Sequence, residues 1–433
     1  MTPVSRTYAA YVVFLLFLAN IANYGQRMMV SILLPAIKAD VLLSDAQLGI
    51  LMGGGFALMY AVAGVPLARF ADRHGRGRWL AIALVFWSTT TALFGSTRAF
   101  SQMLAARIAL GIGESLCIPT SHSLLTDYVA PENRAFAFGL HSTGAVVGVT
   151  LALILGGYLE ASMGWRHAMV LAAVPGILLG LVIGATLREP PRTGVTATHA
   201  DTNLVPLGEV ISHLLSLKSY LWVLMAVCFG MLVEYGLNQW LPTYYVRQFG
   251  LSVADVGFRY GLTVAVGGIP GSLLGGLVAN RLARREIRWL VWLPAVMYAI
   301  AIPVGLSMLL ASTAQAALLL NGIYAFAIFT TNGALWAACF VHVPPLMRAT
   351  TSAITLLVAG ITGLALGPTL VGGISEAFTD RAGSHALQAS LVAVECLAVA
   401  VVISLVCASF ALRREDESRR PAASAVPVPF VTR

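Results

Sequence analysis

Leu43-Ser44-Asp45-Ala46-Gln47-Leu48-Gly49 returns 208 residues later as Leu251-Ser252-Val253-Ala254-Asp255-Val256-Gly257. At the same offset Ala71-Asp72-Arg73 with Arg76 becomes Ala279-Asn280-Arg281 with Arg284. At an offset of 214, Val129, Pro131, Arg134 and Ala135 match Val343, Pro345, Arg348 and Ala349. Each match is short. Together, in register along the chain, they read as an internal duplication.

What is duplicated is apolar. Of 433 residues, 58% are hydrophobic and only 11% charged, with a mean hydropathy of +0.82. A soluble chain of this size needs far more polar surface. A membrane span needs roughly 20 apolar residues. Twelve such stretches are present, near 9–37, 45–69, 78–98, 100–128, 134–160, 166–187, 218–246, 253–282, 288–311, 315–343, 348–377 and 384–412. Their runs are continuous rather than alternating, which excludes a β-barrel. The expectation is an all-α integral membrane protein of twelve transmembrane helices in two pseudo-symmetric six-helix bundles. The bundles are placed at 1–187 and 218–412, with a polar linker at 188–217 and a charged, then Pro/Ala/Ser-rich, disordered tail at 413–433.

The basic residues orient it. With both termini on the cytoplasmic side, 19 Lys and Arg fall on that side and six on or near the other, while Arg27 and Arg107 lie within spans. This asymmetry predicts a multi-pass protein of the cell (inner) membrane with both termini cytoplasmic. It also accounts for the net charge of +8 without nucleic acid. The apolar run after Arg6 continues through Asn20, Asn23, Tyr24 and Arg27, so it reads as an uncleaved first span. All five cysteines fall inside spans and read as packing residues. No His-Glu-x-x-His, Gly-x-Ser-x-Gly or ATP-binding loop is present, so neither an enzyme nor an ATP-driven pump is expected, and no cofactor or metal is implied.

Residues 68–78, Ala-Arg-Phe-Ala-Asp-Arg-His-Gly-Arg-Gly-Arg, resemble the loop 2–3 signature of the major facilitator superfamily. Arg107-Ile-Ala-Leu-Gly-Ile-Gly-Glu114, the Pro131–Arg134 loop and Gly164-Trp165-Arg166 fit it too. Within that superfamily the chain looks like the Spinster-like transporters and, slightly less, the organic-anion symporters that carry sugar acids. The resemblance implies alternating access. It also implies that the 68–78 loop latches the halves on the inner side in the outward-open state. Asp72, Arg73, Arg76 and Arg134 are then gating residues. In the second copy Asn280 and Arg281 should form a weaker latch, because Asn280 replaces the acid.

Charge at mid-bilayer depth costs several kcal/mol unless it faces a cavity or a partner. Arg27 lies about 15 Å below the outer end of its span at 1.5 Å per residue. Asn20, Asn23, Tyr24 and Arg27 share one helical face, and a polar stripe there lines a cavity or forms an interhelical seam. Guanidinium is a planar fork suited to carboxylate or phosphate. Arg27 is therefore the first candidate for binding an anionic substrate, with Asn23, Tyr24 and Arg107 beside it. Arg107 and Glu114, two turns apart, either form a structural charge network with Arg27 or, as the resemblance implies, bind substrate and carry a proton at Glu114. The resembling families usually have Tyr-x-Asp-Arg in the first span. This chain has Tyr24-Gly25-Gln26-Arg27, so a second protonation site is missing.

In the second half, Tyr235, Asn238 and Asn332 are candidate substrate contacts. Asn321, Thr330 and Thr331 are weaker ones, and Glu234 is a candidate gate. The expected function is secondary active transport of a small organic anion, coupled to protons, by a monomer among membrane lipids. A Spinster-like lipid, lysolipid or drug exporter and a facilitated-diffusion uniporter are the alternatives.

Overall fold

Ser44 and Ser252 sit at the same position in the two copies and do the same work. In the computed structural model, which describes residues 6–130, 134–189 and 205–419, each serine starts a helix. Ser44 Oγ accepts from Gln47 N while Gln47 Oε1 accepts from Ser44 N, a reciprocal cap. Ser252 Oγ accepts from Asp255 N at 3.0 Å. Such caps satisfy donors that the first helical turn leaves free. The repeat in the sequence is thus a repeated helix start at one face of the membrane.

The helices in chain order are α1 (Arg6–Val41), α2 (Asp45–Met52), α3 (Gly54–His74), α4 (Arg76–Phe94), α5 (Phe100–Glu114), α6 (Cys117–Tyr128) and α7 (Arg134–Thr186). After them come α8 (Leu207–Ser216), α9 (Lys218–Phe249), α10 (Val253–Ala283), α11 (Trp289–Leu309) and α12 (Ala314–Ala338). The chain ends in α13 (Arg348–Gly360), α14 (Gly367–Ala382), α15 (Ala386–Cys396) and α16 (Ala398–Arg419), with a π-helical turn, Ile361–Leu366, joining α13 to α14. Among the described residues nine helical segments are long and apolar enough to span a membrane. Two of them hold two crossings each and α4 adds another, so the chain crosses twelve times. Its outer surface suits lipid: Leu273 and Leu277, one turn apart, are 66% and 67% exposed, which water would penalise.

Local chemistry divides α7. Gly164 has φ 79° and ψ 160°, a conformation open to glycine, and it breaks the 53-residue helix into two crossings;. The residues that follow tie the turn down. Trp165 Nε1 donates to Asp40 at 3.1 Å, and Arg166 pairs with Asp40 at 2.8 Å while donating to the Thr97 carbonyl. The Gly-Trp-Arg motif therefore joins the ends of α1, α4 and α7.

In the first half α1 and α4 pack on α7, and α5 packs on α3 and α4. In the second, α10 and α11 pack on α12, and α9 packs on α16. The halves meet along α2 with α14, α7 with α10, and α1 with α9.

Two expected boundaries change. The span read as linker contains α8, an amphipathic helix whose Val210 and Leu214 are buried. The tail read as disordered from 413 is helical to Arg419, because Arg413 pairs with Glu417 one turn on and Glu415 and Asp416 bond His342. Residues 1–5, 131–133, 190–204 and 420–433 lie outside the described residues, as does the side chain of Arg134. The expectations for the Pro131–Arg134 loop, the middle of the linker and the end of the tail therefore stay as sequence readings.

Candidate functional site

A cavity of about 150 Å³ lies between the two halves. Its polar wall comes from Tyr24 and Arg27 of α1 and from Glu234, Tyr235, Asn238 and Gln239 of α9. Its apolar wall comes from Met28, Ala145, Val146, Val149, Val264 and Phe329, and Tyr260 completes it. Both halves contribute, as expected of a duplicated fold that encloses one central site.

Arg27 is 8% exposed, and its guanidinium is held by an acid, an amide and three aromatic rings. Nε and Nη2 donate to Glu114 Oε2 at 3.0 and 2.8 Å, and Nη2 also reaches Asn23 Oδ1 at 3.2 Å. Tyr24, Phe56 and Tyr60 present ring faces at 5.0, 4.7 and 5.1 Å. Aromatic faces hold a cation without supplying a competing acceptor. Glu114 is fully buried, and its Oε1 has no hydrogen-bond partner among the described residues.

Arg107 takes a different place from the one its spacing suggests. It is 1% exposed and does not line the cavity. Nε donates to the Leu51 carbonyl at 2.8 Å and Nη2 to the Met52 carbonyl at 3.3 Å, at the break between α2 and α3, with Phe56 stacked at 5.1 Å. The guanidinium braces an interrupted helix. Two turns set Arg107 and Glu114 on one face but about 10 Å apart along the axis, so Arg107 meets the end of α2 whereas Glu114 meets α1;.

The polar stripe of α1 divides likewise. Tyr24 and Arg27 line the cavity. Asn20 donates to the His141 carbonyl at 2.7 Å, and Asn23 supports Arg27, so both belong to seams inside the bundle;. Gln26 is 3% exposed and faces away from the cavity. Its Nε2 donates to the Ala172 carbonyl and to Ser88 Oγ, both at 3.1 Å, and its Oε1 accepts from Thr91 at 3.3 Å.

In the second half Asn238 lines the cavity and accepts from Tyr260 at 3.3 Å, and Tyr235 lines it as well. Glu234, expected as a gate, also stands in the cavity wall. Asn332 is half-buried and outside that wall, and Asn321 bonds Thr263 at 2.8 Å. Of the expected latch residues, Arg76 is buried and bonded to Asp127 at 2.6 Å and Ser123 at 2.7 Å of its own half and to Glu189 of the linker at 3.0 Å. Asp72, Arg73, Asn280 and Arg281 are exposed.

The halves are clasped at the opposite face. Arg247 of α9 grips Asp45 of α2 with two bonds of 2.8 Å. Asp45 also accepts from Ser375 at 2.7 Å and from Lys38 at 2.6 Å. Its backbone N–H donates to Glu376 at 2.9 Å. Bidentate Arg–carboxylate pairs are among the stronger polar contacts. Below this clasp the duplicated glycines let the helices touch. A Cβ on Gly49 would stand 2.7 Å from the Pro368 carbonyl, and one on Gly257 would strike the Leu153 carbonyl. The two contacts are related by the internal repeat.

Sequence reasoning passed over Asp45, Arg247 and Glu395. The capped repeat marked Asp45, but its partner lies 202 residues away. Glu395 of α15 is fully buried, takes a 2.9 Å bond from Tyr324, and fits only because Gly305 has no side chain.

Known proteins extend this picture. The family model of the Major Facilitator Superfamily matches residues 16–368. The chain is 31% identical over 422 residues to an MFS-type efflux pump of Mycolicibacterium smegmatis, covering 96% of each. It is 26% identical to a hexuronate transporter of Bacillus subtilis, covering 90% of this chain and 93% of the other. Among solved structures, a bacterial homolog of the human lysosomal transporter Spinster, in an inward-facing and unoccupied conformation, superposes with a TM-score of 0.86. It shares 28% identity over 95% of this chain and 99% of the other.

Proposed function

The chain belongs to the Major Facilitator Superfamily, and on that premise we propose that it is a proton-coupled secondary transporter of an amphipathic organic anion. The observation that carries this is Arg27. It is a cation at the wall of an otherwise largely apolar cavity, and its donors converge on a single oxygen of Glu114. A substrate carboxylate competes with Glu114 for the guanidinium fork. When Glu114 takes a proton its claim on Arg27 weakens, and the substrate replaces it. The apolar body of the substrate then packs on Met28, Val149, Val264 and Phe329. Glu114 thus couples proton and passenger through one shared partner, with no second acid at Gln26.

In this reading the face bearing Arg76 and Glu189 is cytoplasmic, in the inner membrane of the cell, and both termini lie there. The Asp45–Arg247 clasp shuts the outer side, so the conformation is inward-facing and the Asp72 latch belongs to the other state. Alternating access then requires the two contacts to form and break in turn.

Uptake of labelled carboxylates into proteoliposomes under an imposed proton gradient tests the proposal. Accumulation that collapses with a protonophore supports it. Equal entry with and without the gradient would show facilitated diffusion instead. The apolar wall also favours a second reading, export of a larger apolar compound, and the named efflux-pump relative points the same way. Concentration of such a compound inside everted vesicles, with no carboxylate transported, would select that reading.

A further inference from the structure

Away from the transport cavity, a recess of about 390 Å³ opens between the first turns of α9 and the last turns of α16. Its lining is ordered by depth. Lys218 and Trp222 are one turn apart on α9, and Arg414 and Phe410 are one turn apart on α16. On each helix the cation stands at the rim and the aromatic lies about 6 Å deeper at 1.5 Å per residue. Cys407, three residues before Phe410 on α16, continues the lining with a small side chain.

The rim charge is unspent. Lys218 and Arg414 are exposed, and among the described residues neither has a carboxylate within ion-pair distance. The one acid in the lining, Glu415, is turned elsewhere. It accepts from the Ser219 N–H at 3.0 Å and from Ser219 Oγ, and bonds His342 at 2.8 Å. The neighbouring α8 marks the depth. Leu207, Ile211 and Leu215 form an exposed apolar stripe at four-residue spacing, 58%, 40% and 62% exposed, beside the buried Val210 and Leu214. An amphipathic helix with such a stripe lies in the headgroup–acyl boundary, and Lys218 follows its end by two residues. Rim cations at headgroup level, aromatics a turn below and a small-walled slot beneath match the parts of a phospholipid in order.

We propose that this recess binds an anionic phospholipid, with the phosphate between Lys218 and Arg414 and an acyl chain along Trp222, Phe410 and Cys407. The site is separate from the passenger's path and rests only on the chain spanning a bilayer.

The test uses purified full-length protein in phosphatidylcholine nanodiscs doped with phosphatidylglycerol, with retained lipid read by native mass spectrometry. Wild type should retain phosphatidylglycerol over phosphatidylcholine. Each basic residue at such a surface is worth about fivefold in affinity, so K218Q/R414Q should lose about thirtyfold. K218R/R414K should keep the preference, and Cys407→Trp, which fills the slot and leaves the cations, should lose it. Brominated phosphatidylglycerol should quench wild type more than Trp222→Phe, a difference that brominated phosphatidylcholine should not reproduce. Equal retention of the two lipids by wild type, an unchanged K218Q/R414Q variant, or equal quenching with and without Trp222 would each overturn the proposal. Displacement of the lipid by millimolar inorganic phosphate, with no loss in Cys407→Trp, would show a free-anion site and overturn it too.

Discussion

Nε and Nη2 of Arg27 converge on one oxygen of Glu114, at 3.0 and 2.8 Å, and leave the other oxygen without a partner. A carboxylate matched to guanidinium would use both oxygens. This one-oxygen pairing leaves a protonation point free while the ion pair is intact. Over a pH range where the substrate stays ionised, binding should therefore strengthen as pH falls, because protonated Glu114 releases the fork. Glu114→Gln should bind substrate without that pH dependence and still exchange it, while losing uphill accumulation. Arg27→Ala should lose about tenfold to a hundredfold in affinity, the value of a charge-assisted bond. Titration calorimetry at two pH values, paired with counterflow, measures both. Normal proton-driven accumulation by Glu114→Gln would remove Glu114 from the coupling.

Arg107 invites a split readout. Its two bonds go to carbonyls of α2, at Leu51 and Met52. Arg107→Met should cost about 1–3 kcal/mol of stability by leaving buried acceptors unpaired, while substrate affinity in the folded fraction changes far less than for Arg27→Ala. Thermal melts set against binding isotherms decide it. Intact stability with abolished binding would move Arg107 into the site.

Breaking the clasp should open the face that it holds. Arg247→Ala leaves Asp45, 4% exposed, with fewer partners. A loss of about 1.5–3 kcal/mol from one state shifts a two-state equilibrium by tenfold or more. Cysteines introduced near Lys38 and Glu376 should then label faster with an impermeant thiol reagent. Unchanged labelling would mean that the apolar contacts alone hold that face shut.

Gln26→Glu asks whether the absent acid can be restored. Gln26 donates to the Ala172 carbonyl at 3.1 Å, and a carboxylate there would meet an acceptor with an acceptor. Melting should fall by the equivalent of about 1–3 kcal/mol, and proton stoichiometry, read as charge per substrate in liposomes, should stay the same. A gain of one proton per cycle would show that position 26 reaches the pathway.

The crossings were legible because lipid requires apolar runs of a fixed length and tolerates few charges within them. The halves were legible because helix starts such as Ser44 and Ser252 recur. Arg27 and Arg107 look alike in a linear reading, since each is a lone cation in an apolar run. Their separation depends on which neighbour each helix face meets, and on the break between α2 and α3 that Gly53 only hints at. Asp45 was visible as part of a repeat, yet its meaning needed Arg247 from the other half. The helix α8 was hidden because its polar Ser, His and Glu positions read as linker until its buried face was seen.

The internal repeat places Gly49 and Gly257 in matching contacts, but among the described residues the ion pair between the halves lies on one flank, because Val253 stands where Asp45 stands in the first copy. The seam is chemically lopsided. Release of Asp45 by Arg247 would free the α2–α14 flank of its ion pair and leave the helix-to-helix contact of α7 with α10 in place, so opening there would be closer to hinging than to dilation;. On the proposed cycle, a passenger arriving from that side would meet a crevice that parts along one edge, with the other edge as its pivot.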